Sequence, residues 1–336
     1  MKKLKITAML MAATMFLASC GNKSNVESNE DSSQTSKQGQ EFFLRRSVSN
    51  PQGDKSFSSI AVITDGETIY DVSIDEYQYM DNSEEIKPVP ASDGEFGNGA
   101  VAGKVLISKL QNEEYYSNLM KEHANATKTL KEGYNAIEEY VNGKTIDELS
   151  KEVEEKGDDI VDAISESTLV STKGYIEAII KAAENDRMQS VGKTSDIANL
   201  KIKRNISTPH GDKSFAEVFV AMDGDKIAAA SIDEYQYMDG TPLPSADGEF
   251  GTNFKDAPLI SKVINQDAYS KLMKENAEST KSINENYEDI QNFAAGKTAE
   301  EIEKAISDAG EDAVTEATLV DQNNYLQSIA DTAKAE

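Results

Sequence analysis

The sequence predicts an α+β protein built from two tandem, duplicated domains, each a small antiparallel sheet followed by helices. Three observations carry this. Short motifs recur in the same order at separations that drift from 158 residues here to 150 at Thr168 and Thr318: "GDKSF" at Gly53 and Gly211, "SIDEYQYMD" at Ser73 and Ser231, "DGEFG" at Asp93 and Asp247, "LISK" at Leu106 and Leu259. Each copy opens with β-branched and aromatic runs around an Asp-Gly turn. Each copy closes with helical periodicity. A period this long is a repeated domain of ordinary size and no solenoid unit. Strands first and helices after indicate α+β over a parallel α/β sheet.

The elements follow in order. "SFSSIAVIT" and "TIYDVSIDEYQY" flank Asp65-Gly66, and the second copy turns at Asp223-Gly224, a strong hairpin signal. The Pro- and Gly-containing loop "KPVPASDGEFGNG" comes next. In "ATKTLKEGYNAIEEYV", Leu130, Tyr134, Ile137 and Val141 fall at helical spacing. Thr145 with Glu148, and Thr298 with Glu301, form capping boxes for another helix. Final helices are expected near 172–184 and 322–334, with Ser171 or Thr172 and Asp321 as N-caps. The expected domains are 42–186 and 201–336, joined by 187–200.

The N-terminus reads as an export signal. Lys2, Lys3 and Lys5 precede an apolar run from Ile6 to Ala18, too short to span a bilayer as a stable helix. Leu17-Ala18-Ser19-Cys20 matches a bacterial lipobox, so residues 1–19 are expected to be removed and Cys20 to be lipidated. Acyl chains would then hold the protein in the membrane, on the extracellular face. Cys20 is the only cysteine, so no disulfide is available and each domain is expected to stand on its own core. Residues 21–41 are polar and read as a disordered tether. As a flexible coil it reaches roughly 25 Å, taking about 5–6 Å times the square root of its length. The formal charge is −26, and loss of the three lysines makes it about −29. Such a surface argues against nucleic acid as a partner.

Several chemistries are set aside. His123 and His210 are the only histidines, and Asn276 and Gln52 stand at the corresponding places in the other copies. No Cys/His cluster offers a zinc site, no P-loop or Rossmann glycine pattern is present, and the acidic loops lack EF-hand spacing. No metal site and no catalytic residue is expected. Asp75-Glu76 and Asp233-Glu234 recur ahead of Tyr77/Tyr79 and Tyr235/Tyr237. They read as a solvated strand face with buried tyrosines, or as a tyrosine lying against a flat ligand.

One further pair of segments stands out. "VDAISESTLVSTKGYIEAIIKAA" and "EDAVTEATLVDQNNYLQSIADTA" align on Thr168 and Thr318, each just ahead of a helix. The shared pattern Asp-Ala-x-(Ser/Thr)-Glu-(Ser/Ala)-Thr-Leu-Val resembles the acceptor segment of the FMN-binding domain family. The resemblance implies that an ApbE-type flavin transferase joins FMN phosphate to Thr168 and Thr318 through phosphoesters, giving two covalent FMN groups per chain. It carries Asp162 and Asp312 onto the leading aspartate, and Ser165 and Thr315 onto the hydroxyl position. The family's glycine is replaced by Glu166 and Glu316. A phosphate there would lie near a helix N-terminus, where N–H groups and the dipole favour an anion.

The resemblance implies an electron carrier, not a turnover enzyme. It would take electrons from a membrane quinol-linked dehydrogenase and pass them to acceptors outside the cell. Glu166 and Glu316 favour a different reading, a ligand-binding or structural lipoprotein on this fold without flavin. The signal segment "ATMFLAS" is also a candidate released pheromone peptide. An extracellular hydrolase is disfavoured by the missing nucleophile–base pairs.

Overall fold

The computed structural model describes residues 39–164, 169, 171–310 and 312–335. Cys20, the tether up to residue 38, Ser165, Glu166 and Thr168 lie outside the described residues. The first half runs through β1 (Gln40–Ser49), β2 (Ser56–Thr64), β3 (Ile69–Asp81) and β4 (Lys104–Ser108). It continues through α1 (Glu113–Ala124), α2 (Leu130–Val141), α3 (Ile146–Lys156) and α4 (Thr172–Ala183). After β5 (Gln189–Thr194) the same order returns. β6 (Lys201–Ser207), β7 (Phe215–Asp223), β8 (Lys226–Tyr237) and β9 (Leu259–Ser261) precede α5 (Gln266–Ala277), α6 (Ile283–Ala294), α7 (Ala299–Ala309) and α8 (Gln322–Lys334). The fold is α+β, and every strand pairing is antiparallel.

The Asp-Gly turns connect β2 to β3 and β7 to β8, with Gly66 and Gly224 at φ +103° and +63°. That left-handed region is open to glycine without steric cost. The capping boxes at Thr145/Glu148 and Thr298/Glu301 are present, and Thr129/Glu132 and Ser282/Glu285 form two more. Residues 187–200, expected as a join, contribute β5, which extends the first sheet beyond β1 in the order β4-β3-β2-β1-β5. The second sheet runs β6-β7-β8-β9.

The period-2 alternation of β2 and β3 explains the layering. Ile60, Val62, Val72 and Ile74 face α2, α3 and α4, where Tyr134, Ile137, Leu149, Tyr175, Ile176 and Ile179 complete one core. The intervening residues face the other sheet. Phe57, Tyr77, Tyr79 and Leu106 pack with Phe215, Tyr235, Phe250 and Leu259. A second shared cluster joins Phe42, Leu44, Ala61 and Ile63 to Leu200, Phe219 and Ala221. The layers are therefore helices, sheet, sheet, helices. Each half has a helix-side core, and the two also share cores between their sheets, so the expectation that each stands on a core of its own does not describe the arrangement. Burial of each such side chain stabilises by about 1.5–3 kcal/mol, and Phe57, Tyr77, Phe215 and Tyr235 are all 0% exposed.

The solvated carboxylate face expected in "SIDEYQYMD" is not there. Asp75, Glu76, Asp233 and Glu234 are all 0% exposed. Alternation sends the two members of each pair to opposite faces of the sheet. Glu76 points under the helices, where Lys109 (2.5 Å), Ser58 (3.3 Å), Ser56 and Tyr175 bond it. Glu234 repeats this with Lys262 (2.7 Å), Tyr287 (2.6 Å), Tyr325 (2.6 Å) and Ser214 (2.9 Å). Burial alone would raise the Glu234 pKa. Lys262 and the two tyrosine hydroxyls outweigh it and hold the carboxyl below its usual range.

Asp75 and Asp233 point into the space between the sheets. Ser108 bonds Asp75, Ser261 bonds Asp233 at 2.5 Å, and Arg204 reaches across to Asp75 at 2.5 Å. Arg46 reaches across the other way, 3.8 Å from Asp233. The motif "LISK" thus supplies a serine for one carboxylate and a lysine for the other. At the centre the repeat breaks: Ser59 in one half bonds Glu217, its counterpart in the other. Two glutamates there would leave like charges buried against each other. With one, Arg204 pairs Glu217 at 2.6 Å, while Arg46 stays 3.7 Å away. Burial would raise Glu217, but the two guanidinium groups lower it.

"GDKSF" and "DGEFG" meet across the same boundary. A Cβ at Gly94 would come within 2.6 Å of Asp212 Cβ, and one at Gly248 within 2.3 Å of Asp54 Cβ. The Phe250 N–H donates to the Asp54 carbonyl at 2.7 Å. These motifs hold each half's loop against the other half.

Candidate functional site

The segments around Thr168 and Thr318 precede α4 and α8 in sequence, and Tyr175 and Tyr325 anchor these helices on Glu76 and Glu234. In the first half, Asp162 is exposed in a short 3-10 segment, Gly157–Ala163. Ser165 and Thr168, beyond it, are outside the described residues. Leu169, the next residue, is 5% exposed and rests on α2 where Gly133 offers no side chain. A Cβ at Gly133 would lie 2.9 Å from Leu169 Cδ1.

In the second half Asp312, Thr315 and Thr318 are all described. Asp312 is exposed, and its carbonyl accepts from Asn323 Nδ2 at 3.1 Å. The Thr315 N–H and hydroxyl both donate to Gln322 Oε1 at 2.7 Å, and Thr315 Oγ1 accepts from the Ala317 N–H at 3.0 Å. Gln322 Nε2 in turn donates to the Ala317 carbonyl at 2.8 Å. The Thr318 N–H donates to Asn286 Oδ1 at 2.6 Å, and its hydroxyl donates to the same oxygen at 3.1 Å. Ser279 Oγ lies 2.9 Å from Thr318 Oγ1. Asn286 aligns with Gly133 in the sequence, so α6 holds the Thr318 segment by a side-chain amide.

Thr318 is itself exposed, so its hydroxyl is reachable from solvent. Lys281 donates to the Glu316 carbonyl at 2.9 Å and to Asp289 at 2.5 Å. The Asp289 hydrogen bond raises the Lys281 pKa, keeping a cation beside the segment. Glu316 is exposed and is not among the non-glycine residues with positive φ, which are Ala91, Asn125, Ser245 and Glu278 among the described residues. The position therefore does not demand glycine's conformational freedom, and its carboxylate is free to turn to water.

The N-cap expectation needs correction. Ser171 and Asp321 do occupy the N-cap positions of α4 and α8, but neither makes a side-chain cap. Thr172 Oγ1 donates back to the Leu169 carbonyl at 2.6 Å. Asp321 pairs with His210 Nδ1 at 2.5 Å.

Sequence reasoning missed a groove beside Leu169 and Ser171. It measures about 370 Å³ and lies between α1 and the residues Leu169 and Ser171, lined also by Tyr116, Leu119, Met120, His123 and Met80 among others. That volume falls in the small-ligand range of about 300–1,000 Å³. No sequence signal pointed to it, since the groove depends on α1, none of whose residues is buried in the structure. Among the described residues no helix is long and apolar enough to cross a membrane. Comparison with protein-family models, curated proteins and solved structures found no match.

Proposed function

We propose that this chain is a lipid-anchored flavoprotein of the cell surface, built from two FMN-binding-type domains and carrying covalent FMN on Thr168 and Thr318. It serves as an electron carrier between a membrane quinol-linked dehydrogenase and oxidants outside the cell. Bound FMN supplies a two-electron, two-proton couple, reduced as quinol becomes quinone and reoxidised by the external acceptor. An ApbE-type flavin transferase loads the two threonines. Cys20 holds the chain at the bilayer, and the tether gives it reach.

The observation that carries this reading is the setting of Thr318. Thr318 is exposed, its backbone N–H is held by Asn286, and Lys281 donates to the carbonyl of Glu316, two residues earlier. In a chain of formal charge −26, that cation is a counter-charge for a phosphoester. Asn286 and Gln322 fix the backbone of the segment three residues ahead of the N-cap of α8. The groove beside Leu169 supports the same reading in the first half, since it begins one residue from Thr168.

Cells making the full chain with an exported flavin transferase test this. The account expects flavin fluorescence that stays with the chain through denaturing electrophoresis and remains in the membrane fraction. Cys20→Ala should move that fluorescence to the medium. A chain that never retains flavin, beside another substrate that does, would contradict it.

A further inference from the structure

The open edge of the second sheet is left unpaired where the first sheet closes its own. β9 covers β8 only at residues 235–237. Next to that stretch, the Glu234 carbonyl accepts from the Lys262 N–H at 2.9 Å. At the other end of the edge Ile227 donates to the Lys297 carbonyl at 2.9 Å and accepts from the Gly296 N–H at 2.7 Å. Main-chain groups alternate in direction along a strand, so Ala230 and Ile232 aim their N–H and C=O groups to the same side as Glu234. No described backbone group pairs with them there. In the first half the counterpart of Ile232 is Ile74, whose N–H donates to Glu138 at 3.2 Å. Gln291 stands in place of Glu138 and gives its oxygen to Ser190 instead, at 2.8 Å. Ala230 and Ile232 are 1% and 2% exposed. Buried main-chain groups are nearly always paired, whether with protein, water or a ligand.

Both residues line a cleft of about 410 Å³ between α6 and residues 186–191. That volume is within the small-ligand range of about 300–1,000 Å³. Asn284 on α6 also lines it, and Asn284 Oδ1 is a buried acceptor with no donor among the described residues. Arg46 reaches the floor, but Glu217 and Asp233 answer its charge from 3.7 and 3.8 Å. At the rim Arg187 is exposed together with Asp186 and Glu288, so neither sign prevails.

We propose that this cleft binds a short extended peptide, which adds as a strand to the free edge of β8 at Ala230 and Ile232. Three features select a polypeptide main chain. The edge offers a donor and an acceptor every two residues, about 6.6 Å, which is the repeat of an extended chain. The charges around the cleft are balanced and call for no ion. Asn284 Oδ1 lacks an N–H, which a peptide supplies. A Cβ at Gly192 would lie 2.7 Å from the Ala228 carbonyl oxygen, so β5 shuts one end. The open stretch, 229–233, is roughly 16 Å long and seats about five residues. Main-chain hydrogen bonds supply the affinity in strand addition of this kind. None of these groups belongs to the acceptor segments.

The test uses the full lipidated chain in detergent micelles and a pool of capped pentapeptides with randomised side chains. Peptides retained with the chain on ultrafiltration are identified by mass spectrometry, and their binding should slow amide hydrogen exchange across 229–233. The tightest of them is then remade with N-methyl groups at alternate amides. Methylation in one phase should abolish binding and in the other should spare it, because only one set of N–H groups faces β8. Ala230→Pro removes an N–H from the free edge and leaves the bonds to β7, so it should weaken binding about fivefold. Gln291→Glu restores the acceptor of the first half and should weaken binding by about the same factor, which keeps the test informative if Ala230→Pro does not fold. An empty pool would overturn the proposal, as would retention indifferent to methylation and to both substitutions. Protection of 229–233 that rises with chain concentration in the absence of peptide would give the edge to a second copy and also overturn it.

Discussion

Glu138 and Gln291 hold equivalent places on α2 and α6, and they show what one buried charge costs. Glu138 accepts from the Ile74 N–H at 3.2 Å, while Gln291 accepts from Ser190 Oγ at 2.8 Å. Burial, with a smaller push from the Asp71 charge, raises the Glu138 pKa from 4.5 to about 7. Below the unfolded value both states are protonated and nothing is lost. Between the two values the unfolded chain ionises first, so stability falls as pH rises and levels off above about 7. At about 1.4 kcal/mol per pH unit, discounted for the partial exposure of Glu138, the loss is about 2 kcal/mol. Glu138→Gln should therefore be about 2 kcal/mol more stable than the parent at about pH 8, and about equal to it near pH 4.5, by denaturant titration at each pH. The same difference at both would contradict the assignment. Sequence could not separate Glu138 from its neighbour Glu139, because both fall in one acidic helix and only packing buries the first.

At the scale of elements, local chemistry was legible and tertiary partners were not. The Asp-Gly hairpins, the final helices and two capping boxes follow from neighbours in sequence, and the structure has them where expected. β5 was missed because six residues with alternating exposed and buried positions resemble any polar linker. The carboxylate pairs of β3 and β8 were misread for a different reason. Their partners come from β4, β9, the helices and the other half, and no local pattern announces a buried charge. A cap is also the simplest element to perturb. Ser282→Ala removes the bond to the Glu285 N–H at 3.2 Å, opening the capping box of α6. Chemical denaturation should register about 1 kcal/mol of destabilisation. No change would mean that α6 is held by packing alone.

Taken as a whole, residues 38–336 form one compact unit with the two sheets face to face. The sequence showed the repeat but not this arrangement, because residues facing the other sheet look like any other core. The ion pairs Arg204–Asp75 and Arg46–Glu217 each join one half to the other. Breaking a buried pair from one side typically costs about 3–5 kcal/mol. Residues 39–200 made alone would expose Phe57, Tyr77 and Tyr79 and leave Asp75 without Arg204. We expect neither that piece nor 201–336 to unfold cooperatively by itself, and the two mixed to recover a single cooperative transition. A half that is monomeric with a sharp transition of its own would show that the shared core is dispensable. Of the candidate site, the position of Thr318 shortly before a helix was legible in the sequence, and the hydrogen bonds of Asn286 and Gln322 that hold its segment were not. That Asn286 reaches this segment was visible only once α6 was placed beside it.

The central claim is covalent flavin on two threonines, and intact mass spectrometry of the mature chain tests it most directly. The chain would be made with an exported flavin transferase as wild type, Thr168→Val, Thr318→Val and the double variant. The account predicts two FMN additions, one, one and none. A wild-type chain with no addition, alongside a transferase that modifies another substrate in the same cells, would contradict it.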